Sequence, residues 1–87
     1  MAVGDEALES AVQEAVARAC EVDAERVHRA TRLADLGLDS LAAAEVITDV
    51  EIRLDVEFPV GALRTLTQAE TVGDVLDRLR AGLVVPG

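Results

Sequence analysis

The segment that most constrains the fold of this chain is the sequence Asp-Leu-Gly-Leu-Asp-Ser-Leu at residues 35–41, which is followed at once by residues with helical spacing. Asp39 is a strong N-cap residue, because its side-chain oxygen can accept a hydrogen bond from a backbone N–H two or three positions later. Ser40 then falls in the first turn of a helix, and Gly37 supplies the backbone freedom for a sharp turn into it. The segment therefore predicts a helix that begins at Ser40.

The helix predicted from this start covers residues 40–54 and is apolar on more than one side. Successive helical residues are rotated by about 100°, so one arc must face a core. That arc consists of Ala43, Val46, Ile47, Val50 and Leu54. The opposite arc is mixed and contains Leu41, Ala44, Glu45, Thr48, Glu51 and Ile52. Two interpretations stay open: Leu41 and Ile52 pack on the adjoining loops, or the arc is an apolar stripe, edged by carboxylates, that docks on another protein.

The chain before this helix predicts another helix and a long loop. Apolar residues at spacings of three and four predict an amphipathic helix over about residues 5–20, which supplies a wall of the core and no chemistry. A connection as long as residues 21–38 is unusual in a compact domain unless it is packed or functional. We expect one isolated turn at residues 23–26. The loop is predicted to be pinned to the helices by Val22, Val27, Leu33, Leu36 and Leu38.

Two shorter elements follow. Residues 61–67 predict a helix of one or two turns that buries Leu63 and Leu66. Thr71 and Asp74 predict a capping box, with Asp in place of the usual Glu or Gln. The apolar stripe after it predicts a last helix that ends near residue 81.

These elements together predict an all-α fold. It is a small four-helix bundle of three longer helices and one short helix, with a long first loop. We expect a single domain over residues 1–87, ordered from about residue 5 to residue 83. Its core is small, because the apolar half of the chain is mostly Ala, Val and Leu, with Phe58 as the single aromatic residue.

The net charge of the chain favours some classes of partner over others. Seventeen acidic residues against eight basic ones give a net charge of −9. Nucleic acid and anionic membrane surfaces are therefore poor partners, whereas basic patches of other proteins are favourable ones. With no signal-peptide pattern, no membrane-spanning apolar run and one cysteine, the simplest compartment is a reducing cytoplasm.

Catalysis by the chain itself has little support in the sequence. Cys20 and His28 could act as a nucleophile and a base, but no third orienting group is evident near them. A half-buried position at a helix end is the favoured interpretation of Cys20. We find no metal-ligand cluster and no phosphate-binding glycine loop, so we expect a protein that is not an enzyme.

The sequence Thr-Arg-Leu-Ala-Asp-Leu-Gly-Leu-Asp-Ser-Leu at residues 31–41 resembles the attachment signature of acyl carrier proteins. In that family the serine of Asp-Ser-Leu receives a 4′-phosphopantetheine arm. The resemblance continues in one register through the second helix and the loop after it, at Glu45, Glu51, Leu54, Asp55, Glu57, Phe58 and Pro59. Residues 71–75 resemble the start of the family's last helix.

The resemblance implies a site and a docking surface. Ser40 is the implied attachment residue, with Asp39 and Leu41 beside it as cofactor-binding residues. The family's second helix is the surface that partner enzymes recognise. The implied docking residues are Leu41, Ala44, Glu45, Thr48, Glu51 and Ile52.

The resemblance also implies partners. A phosphopantetheinyl transferase would use coenzyme A and Mg²⁺ to esterify Ser40, and the thiol of the arm would then hold acyl groups as thioesters. An acyl- or aminoacyl-loading enzyme and a ketosynthase or acyltransferase would follow. The chain is expected to be a monomer. Residues 60–64, Val-Gly-Ala-Leu-Arg, are apolar and basic where the most acidic carriers have carboxylates, which favours partners from polyketide or other specialised metabolism over a housekeeping fatty-acid set.

Alternatives remain on cargo and on class. Asp before the serine resembles acyl carriers, whereas peptidyl carriers more often have a Gly-Gly-His-Ser type of sequence. Discrete aminoacyl carriers can also have Asp-Ser-Leu, so amino-acid cargo stays open. The absence of linkers favours a stand-alone subunit, although a piece of a larger synthase would look the same. A different class is an unmodified helical interaction module in which Ser40 is only a cap.

Overall fold

A computed structural model describes residues 4–59 and 61–82 of the chain. Within them the chain forms four α-helices: α1 (Asp5–Cys20), α2 (Ser40–Leu54), α3 (Ala62–Gln68) and α4 (Val72–Gly82). The predicted all-α bundle of three longer helices and one short helix is therefore confirmed. The predicted limit of order near residue 83 lies outside the described residues. No helix in the described part of the chain combines the length and the apolar character needed to cross a membrane.

The core lies between α1, α2 and α4 and consists of small aliphatic side chains. Val12, Val16, Val46, Val50 and Val75 are fully buried. Each contributes on the order of 1.5–3 kcal/mol relative to an exposed side chain. Ile47 and Leu54, at the edges of the predicted inner arc of α2, are partly buried and pack against this cluster.

Helices α1 and α2 run antiparallel. Arg53 near the end of α2 contacts Glu14 in the middle of α1, with 2.6 Å between Nη1 and Oε2. At the other end, Cys20 of α1 lies close enough to Asp39 for that carboxylate to affect its titration. The end of α1 therefore lies beside the start of α2.

The long loop is packed, as its apolar residues predict. Val27 and Leu33 are buried, while Val22, Leu36 and Leu38 are partly buried against the core. The expected isolated turn is present as a 3₁₀-helix at Ala24–Arg26, and a second one, absent from the sequence prediction, covers Leu33–Leu36.

Backbone hydrogen bonds also tie the loop to the start of α4, which apolar spacing alone does not predict. The N–H of Leu33 donates to Glu70 O at 2.9 Å, and the N–H of Val72 donates to Thr31 O at 3.0 Å. A third bond runs from the N–H of Gly73 to Arg29 O at 2.8 Å. The loop that leads to Ser40 is thus held by backbone hydrogen bonds in its middle and by its buried apolar side chains.

The predicted burial of Leu63 in α3 is wrong. Ala62 and Leu66 are buried, but Leu63 is 40% exposed. Positions i and i+4 lie on one side of a helix, so Ala62 and Leu66 share the inner side, and Leu63 is turned away by about 100°. Leu66 is buried as predicted.

Candidate functional site

Ser40 is the first residue of α2, as its cap predicts. Asp39 has an extended backbone, and its Oδ1 accepts a hydrogen bond from the N–H of Ala42 at 2.8 Å. Gly37 has φ of 72° and ψ of 28°, a left-handed conformation that favours glycine. The turn and the cap together present Ser40 as an exposed residue.

The start of α2 is suited to an anion. The first N–H groups of a helix have no intrahelical acceptor, and the helix dipole is positive there. Asp39 satisfies the N–H of Ala42. In the described part of the chain, the N–H groups of Ser40 and Leu41 have no protein acceptor. A phosphate on the Ser40 side chain would therefore lie near unpaired donors.

An open groove of about 380 Å³ adjoins Ser40. One wall comes from the loop and its second 3₁₀-helix, and the other comes from α3 and the residue after it. Most of its lining is apolar, with one hydroxyl group from α3. The lining residues are Leu33, Ala34, Leu38, Asp39, Ser40, Leu66, Thr67 and Ala69. The groove gives a flexible, mostly apolar group on Ser40 a surface to lie against.

The Cys20 thiol lies near this site but is poorly suited to nucleophilic chemistry. Cys20 is half-buried at the end of α1, as predicted. Burial raises the pKa of the Cys20 thiol, and the nearby Asp39 carboxylate raises it further. Because the thiolate is the reactive form, a raised pKa lowers its reactivity at neutral pH. His28 is exposed in the loop, where its backbone N–H donates to Thr31 Oγ1 at 2.8 Å.

Most of the predicted docking residues share an open face of α2. Leu41 and Ile52 are 72% and 75% exposed, so packing on the adjoining loops does not account for them. Glu45 and Thr48 are exposed as well, and Ala44 is half-buried. These residues lie along α2 from its first turn to its last, which leaves an apolar and acidic surface that starts beside Ser40.

Glu51 differs from the other residues of that set. It is half-buried, and its Oε2 accepts a hydrogen bond from the N–H of Phe58 at 2.9 Å. Glu51 therefore holds the loop after α2 in place. A docking role for Glu51 stays a prediction.

A groove that includes residues of α1 was also not predicted from the sequence. A second open groove, of about 470 Å³, lies between α1 and α2. It is lined by Ala15, Arg18, Ala19, Ala44, Glu45, Thr48, Asp49 and Ile52. Helix α1 was expected to supply only a wall of the core, but three of its residues line this surface groove. The groove depends on how the two helices cross, so the spacing within either helix contains no signal for it.

Among residues 4–59 and 61–82, no group of three or more His, Cys, Asp or Glu side chains could hold a metal ion.

A protein-family model matches most of this chain. The family model described as "Phosphopantetheine attachment site" matches residues 10–79, from the first turns of α1 to the middle of α4. The matched region includes Ser40, both grooves and the whole of the long loop. No curated protein matches this chain.

Proposed function

This chain belongs to the phosphopantetheine attachment-site family, and from that premise we propose that it is a carrier protein whose Ser40 hydroxyl receives the 4′-phosphopantetheine arm. Membership of this family implies that the chain carries a covalently attached 4′-phosphopantetheine. The choice of residue is supported by one observation above all: Ser40 is exposed at the first turn of α2, beside unpaired backbone donors and an open groove.

The residues around Ser40 fit such an arm. A phosphodiester on its side chain would carry negative charge where the helix dipole is positive, which is favourable. In the groove, the half-buried Leu38 would contact the less polar part of the arm. The exposed Thr67 hydroxyl donates to Arg64 O at 3.0 Å and could still accept a hydrogen bond from the arm. The Asp39 carboxylate would repel a phosphate, but its hydrogen bond to Ala42 gives it a separate role in starting the helix. A direct contact of Asp39 or Leu41 with the arm stays a prediction.

In the loading reaction this chain acts as a substrate. A phosphopantetheinyl transferase, with coenzyme A and Mg²⁺, would join the Ser40 oxygen to the phosphorus that bears pantetheine. The hydroxyl loses its proton, and the nucleoside bisphosphate of coenzyme A leaves. When bound, the arm supplies a terminal thiol that holds an acyl group as a thioester. Domains of this family are generally non-catalytic carriers, and we propose the same for this chain.

The proposed cargo is an acyl group of polyketide or other specialised metabolism. Asp39 before Ser40 supports acyl over peptidyl cargo, and an amino acid remains the alternative cargo for the same fold. The acyl- or aminoacyl-loading enzyme and a ketosynthase or acyltransferase would act on the loaded chain in turn, in the cytoplasm. Since one surface must serve several enzymes, we expect weak contacts steered by charge.

The docking surface that we propose for these enzymes is the open face of α2. Leu41 and Ile52 are large exposed apolar residues, and Glu45 supplies negative charge between them along the helix. Such a face matches a shallow apolar groove with a basic rim. The net charge of −9 supports attraction to such a partner over long distance.

The decisive experiment is loading followed by intact-mass measurement. The protein is incubated with coenzyme A, Mg²⁺ and a broad-specificity phosphopantetheinyl transferase. We expect a mass gain of one phosphopantetheinyl group, lost in Ser40→Ala. The chain has one other serine, the exposed Ser10 of α1, so Ser10→Ala is a matched control that should load like the wild type. No gain with several transferases would favour the unmodified interaction module.

A further inference from the structure

The groove between α1 and α2 shares its α2 side with the proposed docking surface, but its α1 side has no part in the proposed function. Ala15 and Ala19 of α1 face Ala44 of α2 across it, and their short side chains leave the space of about 470 Å³ unfilled. Ile52 forms part of its rim and is 75% exposed. Ala44 lies one helical turn after Ser40, and Ile52 lies about 18 Å from Ser40 along the helix axis. The groove therefore begins about one helical turn from Ser40 and extends along α2 toward its C-terminal end.

The rim of this groove has charges of both signs. Arg18 stands on α1 and Glu45 on α2, and both are exposed. In the described part of the chain neither forms an ion pair, whereas Asp49, a third charge of the lining, is bound by Arg53 at 2.8 Å. Arg18 and Glu45 are thus available to pair with groups of opposite charge on a partner.

The groove is within reach of an enzyme that acts on Ser40. A standard protein interface buries about 800 Å² per partner, which corresponds to a patch about 30 Å across. A patch of that size centred near Ser40 extends over most of the groove. A second copy of this chain is a poor occupant, because two chains with a net charge of −9 repel each other.

Resting on the proposed function, we propose that the groove is a docking site for the transferase that loads Ser40. The transferase inserts an aliphatic or aromatic side chain between α1 and α2. A basic group beside that side chain faces Glu45, and an acidic group faces Arg18. Recognition of this chain thereby includes α1 and a specific order of charges, in addition to the exposed face of α2.

The first test measures kcat and KM for the protein substrate with the broad-specificity transferase. Ala19→Leu fills the groove, and Ile52→Ala removes its exposed rim. Both should raise KM about fivefold or more, the range of an interface residue that matters, with kcat little changed. Ala7→Leu makes the same change as Ala19→Leu at an exposed position of α1 outside the groove, and its KM should equal that of the wild type.

The second test asks whether reversing the charge of Arg18 raises or lowers KM. Arg18→Glu should raise KM if an acidic group of the enzyme faces Arg18. Arg78→Glu, at an exposed position of α4, makes the same change in net charge and measures general steering alone. If Arg18→Glu lowers KM, or changes it no more than Arg78→Glu does, the proposed order of charges is wrong.

The outcomes separate this inference from the proposed function. A wild-type chain that is never loaded contradicts the carrier proposal itself. A wild-type chain that is loaded, with Ala19→Leu and Arg18→Glu variants that match their controls, overturns only the docking inference, because neither residue belongs to the docking face of α2 in the proposed function. Circular dichroism and thermal unfolding test whether Ala19→Leu is folded. If it is unfolded, the Arg18→Glu and Ile52→Ala variants, at exposed positions, provide the test instead. A wild-type dimer that Ala19→Leu converts to a monomer would assign the groove to a second copy and overturn the inference.

Discussion

The carboxylate of Glu51, in the last turn of α2, accepts a hydrogen bond from the backbone N–H of Phe58 at 2.9 Å. This bond spans the end of the helix and fixes the path of the chain toward α3. Glu51 and Glu45 are both acidic residues on the outer side of α2, yet only Glu51 is half-buried and engaged in the fold. The two residues therefore make a matched pair for separating structure from docking.

Replacing each of these glutamates by alanine should give different losses of stability. Glu51→Ala leaves the Phe58 N–H without its charged acceptor and should lower the free energy of unfolding by about 1–3 kcal/mol. Glu45→Ala removes an exposed side chain and should change it by less than about 0.5 kcal/mol. Urea denaturation followed by circular dichroism measures both values. Equal stabilities of the two variants would contradict a structural role for Glu51.

Charge reversal at Glu45 tests steering without disturbing the fold. Glu45→Lys should slow loading of Ser40 at low ionic strength, because it removes an attraction to a basic partner surface. The difference from the wild type should shrink as salt is added, since salt screens exposed charges. Glu25→Lys, at an exposed position in the loop, is the control for the change in net charge. Loading rates of Glu45→Lys and Glu25→Lys that agree at every salt concentration would exclude local steering by α2.

The cap of α2 should contribute measurably to stability. Asp39→Ala removes the acceptor of the Ala42 N–H and should cost about 1 kcal/mol, with a range of 0.5–2 kcal/mol for such caps. Asp39→Asn retains a capping side chain and should cost less. Asp35→Ala, an exposed carboxylate in the second 3₁₀-helix, is the control, and thermal unfolding is the measurement. A cost for Asp39→Ala no larger than for Asp35→Ala would show that the cap contributes nothing.

Gly37 and Gly61 isolate the effect of backbone strain, because neither position is sterically crowded. An added Cβ meets no atom within 4 Å at either Gly37 or Gly61, but φ is +72° at Gly37 and −76° at Gly61. Gly37→Ala should cost about 1–2 kcal/mol, because a residue with a Cβ is strained in the left-handed region. Gly61→Ala should change stability by less than about 1 kcal/mol, because restriction of the unfolded chain stabilises while loss of the glycine N-cap of α3 destabilises. Urea denaturation of both variants tests the expected order of stability, which a more stable Gly37→Ala would reverse.

The raised pKa of the Cys20 thiol predicts a pH dependence. Alkylation of Cys20 by iodoacetamide should require a higher pH in the folded chain than in the urea-unfolded chain. Burial, the larger cause, still raises the thiol pKa in Asp39→Asn, but the pKa should fall part of the way toward its ordinary value, because the Asp39 carboxylate is gone and a capping side chain is retained. An unchanged alkylation profile in Asp39→Asn would remove Asp39 as a cause of the shift.

The same shift has a consequence for stability. A group whose pKa is raised on folding binds more protons in the folded state, so its contribution is present below the unfolded thiol pKa. The contribution is lost as the pH rises through the folded pKa. Cys20→Ser should therefore unfold with a weaker dependence on pH in the alkaline range than the wild type. Parallel pH profiles of the two proteins in thermal unfolding would contradict this linkage.

The sequence alone was sufficient for the helices and for the position of Ser40. The limits of α1 and α2, the cap at Asp39 and the turn at Gly37 all agree with their predictions. Each depends on residues within a few positions of one another, through helical spacing, a side-chain cap or a backbone preference. Such signals are contained in the order of residues along the chain.

The tertiary structure decided what lies around Ser40. Both open grooves depend on how the helices cross and where the long loop returns. Residues far apart in the chain meet in these features, and no local spacing encodes their distance. The sequence determined that a serine begins an amphipathic helix, whereas packing of α1, α3 and the loop against that helix decided which surfaces stay open to a partner.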